Sequence, residues 1–173
     1  MTRLPIAVIG AGLVGRTHID RVLREPGLQL VGIADPAPAA QQVAEAAGVR
    51  WFAEFDAMLD AVRPRAAVVA SPNATHAAIA IHCLERGVAV LVEKPVADTV
   101  EDAHRIVAAA AAARLPAIVG HQRRHNPIMR RAHAIVAGGR LGRPVCLTAL
   151  STWYKPADYF QTRWRREKSI RNR

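Results

Sequence analysis

Short apolar runs alternate with longer amphipathic ones over the first two thirds of the chain. Residues 6–9, 30–34, 67–70, 88–92 and 117–119 are apolar, partly β-branched and uncharged. Runs of that length without polar alternation predict strands buried on both faces, as in a parallel sheet. Between them, residues 13–24, 37–47, 56–62, 75–86 and 99–114 predict helices. The last begins with Asp98 and Glu101 at capping-box-like spacing and holds six consecutive alanines at 108–113, which favour helix strongly. Strands alternating with helices predict βαβ units in a doubly wound α/β fold with right-handed crossovers.

The regular pattern ends near Gly120. Beyond it, residues 127–137 predict a helix, Gly138-Gly139 a break, and residues 145–150 a strand. Residues 151–173 are polar, aromatic and basic with no clear period. A boundary near 120 therefore separates a first domain, 1–120, from 121–173. The second segment is too short for an ordinary independent domain and reads as the start of an incomplete α+β domain.

An apolar content of 51% with 22% charged residues excludes intrinsic disorder. Two cysteines, Cys83 and Cys146, make no disulfide framework and suit a reducing compartment. No apolar run reaches the length of a membrane span. Arg3 ahead of the apolar residues 4–14 imitates a signal peptide, but that stretch carries Gly10, Gly12 and Gly15 and lacks a cleavage site. It is read as mature structure, and the expected location is the cytoplasm.

A net charge of +10 suggests a nucleic-acid partner until its distribution is considered. Residues 1–113 hold 10 basic and 12 acidic side chains, a net −2, and residues 114–173 hold 14 and 2, a net +12. Neither part contains a recognised nucleic-acid motif, so no nucleic-acid partner is expected. Arginine (21) far outnumbers lysine (3), so part of the basicity reflects composition.

Gly10-Ala11-Gly12-Leu13-Val14-Gly15 is G-x-G-x-x-G, placed after a predicted strand and opening a predicted helix. The first glycine permits the tight turn, the second lets a pyrophosphate approach the backbone, and the third lets the helix pack on the strand. The helix N-terminus supplies unpaired N–H groups for phosphate. Asp35 follows the second strand, twenty residues after Gly15. A carboxylate there accepts from ribose hydroxyls and repels a 2′-phosphate, which favours NAD over NADP. The spacing thus predicts a Rossmann-type NAD(P)-binding domain over 1–120.

Two more segments follow strand ends, where ligands bind in such sheets. The first is Ser71-Pro72-Asn73-Ala74-Thr75-His76. Asn73 has the chemistry to hydrogen-bond a cofactor. His76 shares a helix face with Ile79, Ala80 and Cys83, so its spacing suits packing and a site equally. The second is Glu93-Lys94-Pro95. A lysine there can polarise a hydroxyl or carbonyl oxygen, and the pair also reads as a solvated ion pair at a strand end.

Together these residues resemble the glucose–fructose oxidoreductase, inositol dehydrogenase and rhizopine catabolism (Gfo/Idh/MocA) family, from residue 6 to about residue 168. The glycine motif with His18 downstream, Ser71-Pro72-Asn73 with His76, and Glu93-Lys94-Pro95 stand in the family's order. Gly120-His121-Gln122-Arg123-Arg124-His125-Asn126-Pro127 resembles its crossover into the second domain, and Trp164-Arg165 its tryptophan-arginine element. The resemblance implies hydride transfer between NAD(P) and a secondary alcohol of a sugar, inositol or related polyol, with Lys94 as the catalytic residue. It implies cofactor contacts from Gly10, Gly12, Leu13, Val14, Gly15, Asp35, Ser71, Pro72, Asn73, His76, Glu93, Lys94 and Gln122. Arg123, Trp164 and Arg165 would lie on the substrate side. No metal and no membrane are called for, and a homo-oligomer is compatible with the family.

One departure matters. The family continues for a comparable length and carries a downstream Asp-x-x-x-His element whose histidine takes the alcohol proton. No such element occurs here, and the expectation is a C-terminally truncated form. The alternative is a non-catalytic dinucleotide-binding fragment or pseudoenzyme. His76, His121 and His125 are the conceivable substitutes for the missing base.

Overall fold

A computed structural model describes residues 2–152 together with Tyr154 and Pro156. The chain divides into two compact units, one ending at Gly120 and the other beginning at His121.

The first unit carries β1 (Leu4–Ile9), α1 (Leu13–Arg24), β2 (Leu28–Ala34), α2 (Ala40–Ala46), β3 (Trp51–Phe52), α3 (Phe55–Val62), β4 (Ala66–Val69), α4 (Asn73–Glu85), β5 (Ala89–Val92), α5 (Val100–Ala113) and β6 (Ala117–Val119). The strands form one parallel sheet in the order β3-β2-β1-β4-β5-β6. This is the doubly wound order of a Rossmann fold. The winding reverses between β1 and β4, which opens a crevice beyond their carboxyl ends.

Both faces of the sheet are covered, which is why the strands read as unbroken apolar runs. Side chains alternate along each strand. Ala7, Ile9, Ala34, Ala67 and Val69 join one layer with Met58, Leu59, Cys83, Leu84 and Ile106 from α3, α4 and α5. Ile6, Val8, Ile33 and Val68 join the other layer with Ile19, Val22, Ala40 and Ala44 from α1 and α2.

The differences from the expected elements have local causes. The short edge strand β3 has only two residues, Trp51 and Phe52, too few to leave a period-2 pattern. Helix α4 starts at Asn73, directly after Pro72, because proline fixes φ and suits a helix entry. Helix α5 is capped by Thr99, whose side chain accepts from the Asp102 amide, rather than by Asp98.

The second unit holds a 3₁₀ turn (Gln122–His125) and α6 (Pro127–Ala137). The Asn126 side chain accepts from the Ile128 amide at 2.8 Å, with proline at the first helical position. The strand expected over 145–150 is absent. Those residues have no regular structure, and Val145, Leu147 and Leu150 are each about nine-tenths exposed. A β-branched run becomes a strand only where a neighbour accepts its backbone hydrogen bonds, and no strand pairs with it among the described residues.

Candidate functional site

The turn after β1 is built by steric necessity at two of its three glycines. Gly10 has φ +97°, and a Cβ there would stand 2.6 Å from the Ala70 carbonyl carbon and oxygen. Gly10 thus permits the loops after β1 and β4 to touch at the switch point. At Gly15, a Cβ would stand 1.9 Å from the Gly10 carbonyl oxygen, so α1 leaves the loop with no gap.

Gly12 is different. Its φ of −67° and ψ of −171° suit any residue, and a Cβ there would meet nothing within 4 Å. Neither conformation nor internal packing requires glycine at this position. The open space lies where α1 begins, and Gly12 caps α1 without a side-chain bond. The first intrahelical bond runs from the Arg16 amide to the Gly12 carbonyl. The amides of Leu13, Val14 and Gly15 come before it and lack helical acceptors. No acidic residue occupies the first turn. This cradle fits an anionic diphosphate.

Asp35 stands at the end of β2. One carboxylate oxygen accepts from the Ala11 amide at 2.7 Å and the other from the Ala37 amide at 2.8 Å. Its carbonyl accepts from Trp51 Nε1 at 3.0 Å. Asp35 therefore ties the glycine loop to β2, and each carboxylate oxygen keeps further lone-pair capacity for a donor.

Beyond β4, the Thr75 hydroxyl donates to the Pro72 carbonyl, so Ser71 donates to Thr75 at 2.7 Å. With its proton committed, the Ser71 oxygen is left as an acceptor. Asn73 is the first residue of α4. The His76 ring has no exposed surface. Its Nδ1 lies 2.8 Å from the Pro95 carbonyl oxygen and its Nε2 lies 2.9 Å from the Ser71 carbonyl oxygen. A ring so enclosed offers a cofactor no face, and the structure makes it a brace between two loops.

Beyond β5, Glu93 Oε1 lies 2.9 Å from His18 Nε2 on α1, and the pair is mostly shielded. Glu93 Oε2 accepts from the Lys94 amide at 3.2 Å. A Cβ at Gly120 would stand 2.8 Å from Glu93 Oε1. Lys94 is exposed. The first unit thus brings together Gly10, Gly12, Leu13, Val14, Gly15, Asp35, Ser71, Pro72, Asn73, Glu93 and Lys94 at the loops that follow β1, β2, β4 and β5. Gln122 and Arg123 lie in the 3₁₀ turn of the second unit, and Trp164 and Arg165 lie outside the described residues.

Two contacts were not drawn from the sequence. His18 appeared only as part of a motif, and its partner Glu93 is 75 positions away. Gly120 appeared only as a boundary, yet it makes room for the Glu93 carboxylate. A separate cavity of about 350 Å³ lies between α1 and α2, lined by Ile19, Leu23, Val43 and Ala47 among others. Burial pushes the Cys83 thiol up to about 12, against a smaller lowering by Arg86. Among the described residues, no group of three or more His, Cys, Asp or Glu side chains could hold a metal, and no helix is long and apolar enough to cross a membrane.

The doubly wound sheet and its glycine turn define a Rossmann-type dinucleotide-binding domain. A model of an oxidoreductase family with an NAD-binding Rossmann fold, Gfo/Idh/MocA, matches residues 4–121. The chain belongs to this family, and those residues form its NAD-binding domain. It is 35% identical over 159 residues to the inositol 2-dehydrogenase of Rubrobacter xylanophilus, covering 90% of this chain and 45% of that protein. It is 38% identical over 148 residues to the inositol 2-dehydrogenase of Streptomyces avermitilis, covering 83% and 43%. Among solved structures, it resembles the WlbA dehydrogenase of Bordetella pertussis, crystallised with NADH and UDP-GlcNAcA. The TM-score is 0.91 at 32% identity, covering 96% of this chain and 51% of that one. The chain spans about half the length of the relatives it matches.

Proposed function

We propose that the chain binds NAD(H) across the loops after β1, β2, β4 and β5. There it serves hydride transfer between the nicotinamide and a secondary alcohol of a sugar, inositol or related polyol. The observation that carries this reading is the contrast among the three glycines. Gly10 and Gly15 are required by the protein's own packing, whereas a Cβ at Gly12, at the start of α1, would meet nothing within 4 Å and leaves room for a diphosphate there.

In this reading the amides of Leu13, Val14 and Gly15 hold the diphosphate. Asp35 accepts from the adenosine ribose and repels a 2′-phosphate, which sets a preference for NAD over NADP. Ser71, Pro72, Asn73 and Glu93 frame the nicotinamide half, and Gln122 adds a contact. Bound NAD⁺ supplies a hydride acceptor. Lys94 contacts the nicotinamide half of the cofactor and orients the reacting hydroxyl through its ammonium group. Arg123, Trp164 and Arg165 are assigned to the polyol side, and residues 121–173 to a substrate and oligomerisation segment. The names of the relatives, two inositol 2-dehydrogenases and a dehydrogenase crystallised with UDP-GlcNAcA, support the polyol class.

One observation favours a second reading, a dinucleotide-binding protein without turnover. Oxidising an alcohol requires a group to take its proton. Of the histidines offered as substitutes, His76 lies in the first unit, and both its ring nitrogens already lie on main-chain oxygens. Titrating NADH fluorescence and then assaying a polyol panel with NAD⁺ separates the cases. Binding with turnover supports the oxidoreductase, binding without turnover supports the second reading, and no binding at millimolar cofactor rejects both.

A further inference from the structure

The Glu93-Lys94-Pro95 turn is gripped on both sides of its lysine by histidines from different helices. Ahead of Lys94, His18 of α1 reaches Glu93 Oε1 at 2.9 Å. The other carboxylate oxygen accepts from the Lys94 amide at 3.2 Å. Gly120 closes a third side, since a Cβ there would stand 2.8 Å from Oε1 and 3.1 Å from the carboxyl carbon. After Lys94, His76 of α4 reaches the Pro95 carbonyl oxygen at 2.8 Å, with its second nitrogen on Ser71. Glu93 and both histidines are largely or wholly shielded, and Lys94 between them is exposed.

We propose that His18 and His76 are positioning residues for Lys94. They pin the main chain before and after it to α1 and α4, and so fix the point from which its ammonium group reaches. A lysine side chain has four rotatable bonds and little intrinsic direction, so a functional lysine depends on a supported backbone. An imidazole has only two side-chain torsions and bridges a helix and a loop at low entropic cost. The arrangement also links α1, the helix that begins at the phosphate cradle, to the turn that carries Lys94. The inference rests on the proposed role of Lys94.

The test measures NADH and ADP-ribose affinities in the full chain. ADP-ribose carries the adenosine and diphosphate but no nicotinamide. His18→Leu should lower NADH affinity about ten-fold and leave ADP-ribose affinity within about two-fold, the size expected for a coupled neighbour. His18→Gln, which keeps an N–H donor, should recover most of the loss. In a Lys94→Ala background the His18→Leu loss should vanish. A parallel fall in ADP-ribose affinity, no fall in NADH affinity, or an undiminished loss without Lys94 would overturn the proposal. If the wild type binds no NADH, the proposed function fails, and hydrogen exchange at the Lys94 amide decides the brace by itself. Exchange about ten-fold faster in His18→Leu and His76→Leu supports it, and unchanged exchange rejects it.

Discussion

The two units differ most in what they bury. Every buried residue among those described lies in the first unit, in two apolar layers on either face of the sheet. In the second unit, no described residue is buried, and α6 exposes Ile128, Met129 and Val136. Yet α6 begins at Asn126, whose side chain caps it, with a proline in its first turn. Local signals thus suffice to start and stop a helix, whereas a strand needs a neighbour. In the first unit, pattern and packing agree, and the loops at the strand ends are held by contacts that leave one cradle open.

The largest break in this comparison should come from Gly15→Ala, whose Cβ would stand 1.9 Å from the Gly10 carbonyl oxygen. We expect a loss on the order of 4 kcal/mol in urea unfolding, at the severe end for single substitutions. A loss below about 1 kcal/mol would show that the turn rearranges freely. Next, Met58→Ala, in the core beneath Gly32, should cost about 2–5 kcal/mol. Ile128→Ala on α6, where the residue is 77% exposed, should stay within about 0.5 kcal/mol. Similar costs would erase the contrast between the units.

Asp35→Ala should erode the preference for NADH over NADPH. Because Asp35 also holds the Ala11 and Ala37 amides, stability should fall by about 1 kcal/mol. An unaltered ratio of the two affinities would remove Asp35 from cofactor selection. The smallest effect concerns the thiols. Cys146 is exposed and Cys83 buried, so an alkylating reagent at neutral pH should modify Cys146 alone in the folded chain. Burial raises the Cys83 thiol from 9.0 to about 12. The unfolded chain therefore releases that proton first, and stability should decline between these values as pH rises. Rapid modification of Cys83 in the folded state would contradict its burial.

The strands and helices of the first unit were legible because a sheet covered on both faces imposes uninterrupted apolar runs. The glycine turn and Asp35 were legible because their spacing follows the strand ends. Two-residue β3 was not, since so short a strand has no period. The run at 145–150 misled because its composition suits a strand whose partner the chain does not supply among the described residues. The clasp around Glu93 was hidden by distance along the chain. His18, Glu93 and Gly120 meet only once β1, β5 and β6 lie in one sheet. His76 could not be placed by spacing, because a packing histidine and a ligand-facing one occupy the same helix face. Burial settles that question.

In the proposed function, a dinucleotide occupies the space beside Gly12. Calorimetric titration of NADH into the wild type and Gly12→Val, with the melting temperature of each recorded alongside, tests it directly. We expect saturable binding to the wild type, none to the variant, and a melting temperature lowered by only a few degrees, because nothing in the protein lies within 4 Å of the added Cβ and only the cap of α1 is weakened. Equal NADH affinity in the two proteins would contradict the proposal.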